Sequence, residues 1–233
     1  MSASSTSSLY EILVKITGHR SGVDFYTGWK QIFPSVDNND VLRQIGLIYQ
    51  LTDSAKQEIE SIASKVSARS TNHWRTQILA ALTNPGTHWE GFRKAFDDHT
   101  LSYLELQATL IEGKLSDSPI SIEILTEALD NLREAIRLLV ESEIPREQKI
   151  QLVRQLRELV AAIEDYEFVG NPGVFSKFKA TTFDLAAVKT IDKNFPKIDE
   201  LEKGLSIIAN AIAISSSLKG LAKPALKLLG IEA

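Results

Sequence analysis

The chain predicts an all-α fold, a multi-helix bundle built around one long antiparallel helical hairpin. Three observations carry that expectation. Apolar residues recur at three- and four-residue intervals along most of the 233 residues. No stretch alternates apolar and polar residues with β-branched enrichment, and no Asn-Gly or Asp-Gly pair joins two such runs. The most regular spacing, 4, 3, 4, 3, appears twice in succession on either side of Ile144-Pro145.

The elements follow in order. Met1 to Ser8 is Ser-rich and lacks the basic-then-apolar order of a secretion signal, so it reads as a disordered lead. Ser7 and Ser8 offer caps for a first helix carrying Leu9, Ile12, Leu13 and Ile16, stopped by Gly18. A short helix with Phe25, Trp29, Ile32 and Phe33 ends at Pro34. Asp37 to Asn39 can cap a long helix running from Val41 to about Ala68. Trp74, Ile78 and Leu82 continue the period until the turn-forming Asn84-Pro85-Gly86. Trp89, Phe92 and Phe96 make an aromatic stripe, and Asp98 to Thr100 cap a helix holding Leu101, Leu104, Leu106 and Leu110.

After a loop at residues 113–119, Leu125, Leu129, Leu132, Ile136 and Leu139 face Leu152, Leu156, Leu159, Ile163 and Tyr166 as the two arms of the hairpin, over residues 122–166. Its own seam buries too little to stand alone, so Val140, Val153 and Val160 are expected against N-terminal helices or a partner. Gly170 to Gly173 is the sharpest break and a candidate hinge, and Thr181 with Asp184 resembles a capping box opening a further helix to Ile191. The expected organisation is about seven to nine helices in all, with one helical body over residues 9–195 followed by an apolar, Lys-bearing helical tail over 196–233.

Composition narrows function. Hydrophobic residues at 43% and charged residues at 24% suit a folded globular chain, and a net charge of -4 gives no general footprint for nucleic acid. The absence of cysteine removes disulfides and thiol chemistry and suits a reducing compartment. A cytoplasmic protein is the expectation, with peripheral contact to an inner membrane through the tail. Residues 204–218 are uncharged and reach about 22 Å as a helix, short of a hydrocarbon core of about 30 Å. Ile207, Ile208 and Ile212 with Lys219, Lys223 and Lys227 form instead either a core helix or a surface-seeking amphipathic segment.

Arg93 and His99 stand at the spacing of the arginine-to-histidine motif of helical HEPN ribonucleases, where arginine meets phosphate charge and histidine moves a proton. Asp97 and Asp98 beside them would repel an RNA backbone. His19, His73 and His88 lack the close partners of a helix-borne zinc site, and Gly18 to Gly22 lacks the Lys-Ser/Thr ending of a phosphate loop. Arg133, Arg137, Arg146, Lys149, Arg154 and Arg157 interleave with acids, as on a solvated face. No cofactor, metal or small-molecule ligand is expected.

Leu9-Tyr10-Glu11-Ile12-Leu13, Gly18-His19, Phe25-Tyr26-Thr27-Gly28-Trp29 and Trp89-Glu90-Gly91-Phe92, with Ile144-Pro145, Tyr166, Gly170 and Gly173-Val174-Phe175, carry a resemblance. Together they resemble a group of uncharacterised bacterial all-helical accessory proteins. The resemblance implies a bacterial helical protein and brings no catalytic residue; the accessory character of that group suggests a link to antiphage-defence or toxin systems. The reading at this level is a non-enzymatic interaction protein that binds a protein partner or itself through the hairpin seam or the tail. A membrane-acting effector and a HEPN-like ribonuclease are the alternatives.

Overall fold

The computed structural model describes residues 4–35, 37–62, 68–114, 118–191, 195, 197–215, 224, 226, 227, 229 and 230. These form ten helices: α1 (Ser5–Gly18), α2 (Phe25–Ile32), α3 (Asn38–Ile62), α4 (Ala68–Thr83), α5 (Trp89–Arg93), α6 (Asp98–Glu112), α7 (Ile122–Glu141), α8 (Arg146–Glu164), α9 (Tyr166–Ile191) and α10 (Asp199–Ser215). The all-α class is therefore observed, with one helix more than the upper expectation. Among the described residues, β structure is confined to one isolated antiparallel bridge between Asp24 and His88.

The single helical body expected from the sequence divides into two compact units, Met1–Ser116 and Asp117–Ala233. The division falls in the Gly- and Ser-containing stretch that reads as the principal loop. No apolar period crosses it, so each half closes on its own core.

In the first unit the chain starts earlier than its Ser-rich composition suggests. Ser4 caps α1 by accepting from the Ser7 amide, and Thr6, Ser7 and Ser8 are buried. Glu58 of α3 reaches this helix start: its carboxylate accepts from the Ser5 and Thr6 amides at 3.3 and 2.8 Å and from the Thr6 hydroxyl. A negative group at a helix N-terminus satisfies donors that have no intrahelical partner. The disordered lead through Ser8 is thus corrected from Ser4 onward, and residues 1–3 lie outside the described residues. Asp24, Asp97 and Asp37 serve the starts of α2, α6 and α3 by accepting backbone amides.

Three fully buried tryptophans organise this unit, and each indole N–H has an acceptor. Trp29 donates to Gln44, Trp74 to Gln107 and Trp89 to the His19 carbonyl, all at 2.8 Å. An indole can be buried at full hydrophobic gain only when that donor is met. Gly28 lies under Trp89, where a Cβ would come within 2.5 Å of the indole ring.

The second unit gathers α7 to α10 around one apolar cluster. α7 and α8 follow one another across residues 142–145, with Lys149 Nζ donating to the Val140 and Ser142 carbonyls and Arg133 meeting Glu164 at 2.7 Å. Yet α7 packs most extensively on α10 and α8 on α9. The face of α7 turned fully inward is Leu125, Ala128, Leu132, Ala135 and Leu139, while Leu129 and Ile136 are only partly buried. α10 comes close to α7 where Gly204 faces Leu132, since a Cβ at that glycine would lie 3.0 Å from the leucine. The surface the seam lacked comes from α9 and α10. Val153 and Val160 are buried in that cluster, whereas Val140 is exposed.

Two further expectations are corrected in α9. The chain breaks at Gly170 with φ 57° and ψ -168°, a backbone region open essentially to glycine alone. It is nevertheless buried and tied rather than free to swing: Asn171 donates to the Ser118 and Ser215 carbonyls and accepts from the Tyr166 hydroxyl. Thr181 opens no helix. It is a buried residue within α9 whose hydroxyl donates to the Gln155 carbonyl of α8.

Asn171→Ala is expected to destabilise the chain by about 1–3 kcal/mol, since it removes the bonds to the Ser118 and Ser215 carbonyls and leaves the buried Tyr166 hydroxyl proton without its acceptor; a urea melt followed by circular dichroism measures it. Gly28→Ala tests the opposite assumption, that a helical glycine is improved by alanine. Helix propensity favours alanine by up to about 1 kcal/mol, but displacing the Trp89 ring costs about 1–3 kcal/mol, so a lower melting midpoint is expected.

Candidate protein-docking face on helix α6

α6 packs on α1 and α4 through Leu104, Gln107, Ala108 and Ile111, all buried. The helical repeat places residues three, four and seven apart on a common face. Tyr103, Leu106 and Leu110 share one such face, and it points outward: they are 37%, 61% and 42% exposed. Leu106 and Leu110, grouped with the core by periodicity, are therefore reassigned to the surface. α6 carries two apolar stripes, and only one fits between α1 and α4.

The outward stripe borders α4. Tyr103 lies edge-on to His73 with ring centroids 5.7 Å apart, and His99 stacks on Tyr103 at 6.0 Å. His73 in turn meets Asp97 at 3.2 Å. Burial tends to raise the Asp97 carboxyl, but bonds from Thr100 and His73 outweigh it and hold the group below the usual carboxylate range. On the α1 side, Asp98, Glu105 and Glu112 form an exposed acidic line at seven-residue spacing. Tyr10 of α1 hydrogen-bonds Glu105, and its phenol is pushed up first by burial and then by that bond and the negative charge. Exposed Ser102 and Thr109 lie between the two strips.

The residues singled out for chemistry do not converge. Arg93, at the end of α5, grips both oxygens of Glu90 at 2.6 Å and also donates to the Thr17 carbonyl of α1 at 3.1 Å. His99, in the first turn of α6, instead makes ring contacts with His73 and Tyr103. The Arg93 guanidinium is thus committed to Glu90 in a two-pronged bond and to Thr17, and the two residues of the motif have separate partners. Among the described residues no group of three or more His, Asp or Glu side chains could hold a metal ion. His19 is occupied by Gln31 and by the Trp89 ring.

Of the residues expected along the hairpin seam, Leu125, Leu132, Leu152, Leu156, Leu159 and Ile163 are buried in the core of the second unit, and Leu129 and Ile136 pack partly buried against it. Most of the apolar tail that is described is turned inward: Leu205, Ile208 and Ile212 of α10 and the more distant Leu226 and Leu229 join the core of the second unit, with Ile207 packed against it, whereas Ile214 is 84% exposed. Lys227 is exposed, and Lys219 and Lys223 lie outside the described residues. No helix among the described residues is long and apolar enough to cross a membrane. The arginines of α8 retain a surface role: Arg154 and Arg157, with Ile150, Val153, Glu158 and Ala161, line an open groove of about 430 Å³.

No family model, curated protein or solved structure matches this chain in comparisons with known proteins.

The Arg93 clamp makes a measurable claim about pH. The bonds from Arg93, then Lys94, lower the Glu90 carboxyl from its ordinary 4.5 to about 2. A depressed folded-state pKa contributes stability above the unfolded value and loses it as pH falls from 4.5 towards 2. A carboxyl titration by nuclear magnetic resonance should give a Glu90 midpoint near 2, and Arg93→Ala should move it back towards 4.5.

Proposed function

We propose that this chain is a non-enzymatic interaction protein that receives an amphipathic helix of a partner protein along the outer face of α6. The observation that carries the reading is the exposed stripe of Tyr103, Leu106 and Leu110. Single exposed leucines are ordinary, but three large apolar side chains at helical spacing on one helix make a continuous strip. Such a strip is the counterpart of the anchor positions with which an amphipathic helix enters a groove. The interaction class is the one expected from the sequence, while the surface moves from the hairpin and the tail to α6. That move is supported by the burial of the seam and of α10 within the second unit.

A photo-reactive phenylalanine at Leu106, activated in the host cell, is expected to give a discrete adduct that the same probe at the exposed Glu127 of α7 does not give. The partner so identified is then purified and titrated against the chain. Leu106→Asp with Leu110→Asp, at exposed positions, should leave the fold within about 0.5 kcal/mol and weaken binding at least about tenfold. Undiminished affinity in the folded double variant rejects the reading.

A further inference from the structure

The outer surface of α6 has three parallel strips: apolar beside α4, small and polar along the middle, acidic beside α1. From Asp98 through Glu105 to Glu112 is fourteen residue steps, about 21 Å at about 1.5 Å per step. None of the three forms an ion pair with a described residue. Lys114, the cation that follows the line, donates its ammonium to the Ile62 carbonyl. Glu105 is held by a neutral phenol, which fixes its position without cancelling its charge.

We infer that the helix received by α6 is basic, with apolar residues covering Tyr103, Leu106 and Leu110 and Lys or Arg residues along the line of Asp98, Glu105 and Glu112. The inference rests on the reading of α6 as a docking face and specifies its partner. A helix seated over Ser102 and Thr109 lies between the strips and needs one apolar flank and one cationic flank. Opposite potentials across an interface select the partner and speed its encounter, whereas like charges exclude wrong ones.

A second copy of α6 does not satisfy this surface. Two copies related by a two-fold axis and running antiparallel bring leucine to leucine but acid to acid. Running parallel, they set the acidic line against the apolar stripe. Each arrangement buries or opposes unpaired carboxylates, so the occupant is a different helix.

The test uses the full chain and two designed helical peptides of about 21 residues, long enough to run beside α6. They share one leucine pattern and carry either Lys or Glu at every flanking position, and binding is read by fluorescence anisotropy. The Lys peptide is expected to bind at least about tenfold tighter at 50 mM salt, with the preference shrinking to about twofold at 500 mM as screening sets in. Glu105→Lys with Glu112→Lys should invert the preference. Since Glu105 also holds Tyr10, Asp98→Asn with Glu112→Gln provides a milder variant, expected to reduce the preference without inverting it. Equal binding of both peptides, or binding of neither, overturns the inference. If Leu106→Asp still weakens both equally bound peptides, the docking face survives that failure; if it weakens neither, the docking face falls as well.

Discussion

The second unit depends on one buried carboxamide. Asn171, 1% exposed, ties three segments that are distant in sequence: Ser118 at the entry to α7, Tyr166 at the start of α9 and Ser215 at the end of α10. The Ser118 amide donates to the Ser215 carbonyl, and the Ile120 amide donates to the Tyr166 hydroxyl. The knot therefore joins donors and acceptors at a chain entry, a backbone break and the last described turn of α10. Burial, only partly offset by the Ile120 bond, pushes the Tyr166 phenol up, so it stays a neutral donor. Apolar burial in the same unit is larger in total but has no direction. The Asn171 bonds choose which way the chain leaves α8 and tie it to the last described turn of α10.

The first unit solves the same problem with indoles. Trp29, Trp74 and Trp89 each anchor two segments by burying a large ring and donating one hydrogen bond to a residue fifteen to seventy positions away. Gln44 and Gln107 meet two of those donors and are themselves satisfied by Pro34, Ser35, Ser70 and Thr71. Such buried amide pairs hold α3 and α6 in a fixed rotation about their own axes. For α6 that rotation settles which of its two apolar stripes faces inward.

The helical class and most helix ends were legible because they follow from local spacing and from turn residues. The two-unit organisation was not, since nothing in a run of apolar residues says which other run it will meet. The seam of α7 was legible in part: leucine spacing marks Leu125, Leu132 and Leu139, which are buried, with Leu129 and Ile136, which pack partly buried against the core, but it passes over the fully buried Ala128 and Ala135, whose small side chains give a weaker apolar signal. The Arg93 and His99 spacing was visible, but the engagement of Arg93 by Glu90 and Thr17 arises only from the fold. The α6 face could have been found from its two interleaved stripes and the seven-residue acidic repeat. What hid it is that a stripe on the surface and a stripe in the core have the same period.

An exposed apolar strip on a helix carries a standing hazard, because identical strips on other copies are its most abundant partners at high concentration. The placement of Asp98, Glu105 and Glu112 bears on that hazard directly. Acid beside the leucines leaves the strip accessible to a helix of opposite charge and makes both two-fold pairings of α6 with itself unfavourable. The selectivity comes from position more than from total charge, since a net charge of -4 over the chain gives only weak general repulsion. Removing the acids would therefore broaden the surface as well as weaken it: α6 would keep its apolar area and lose the feature that tells one amphipathic helix from another.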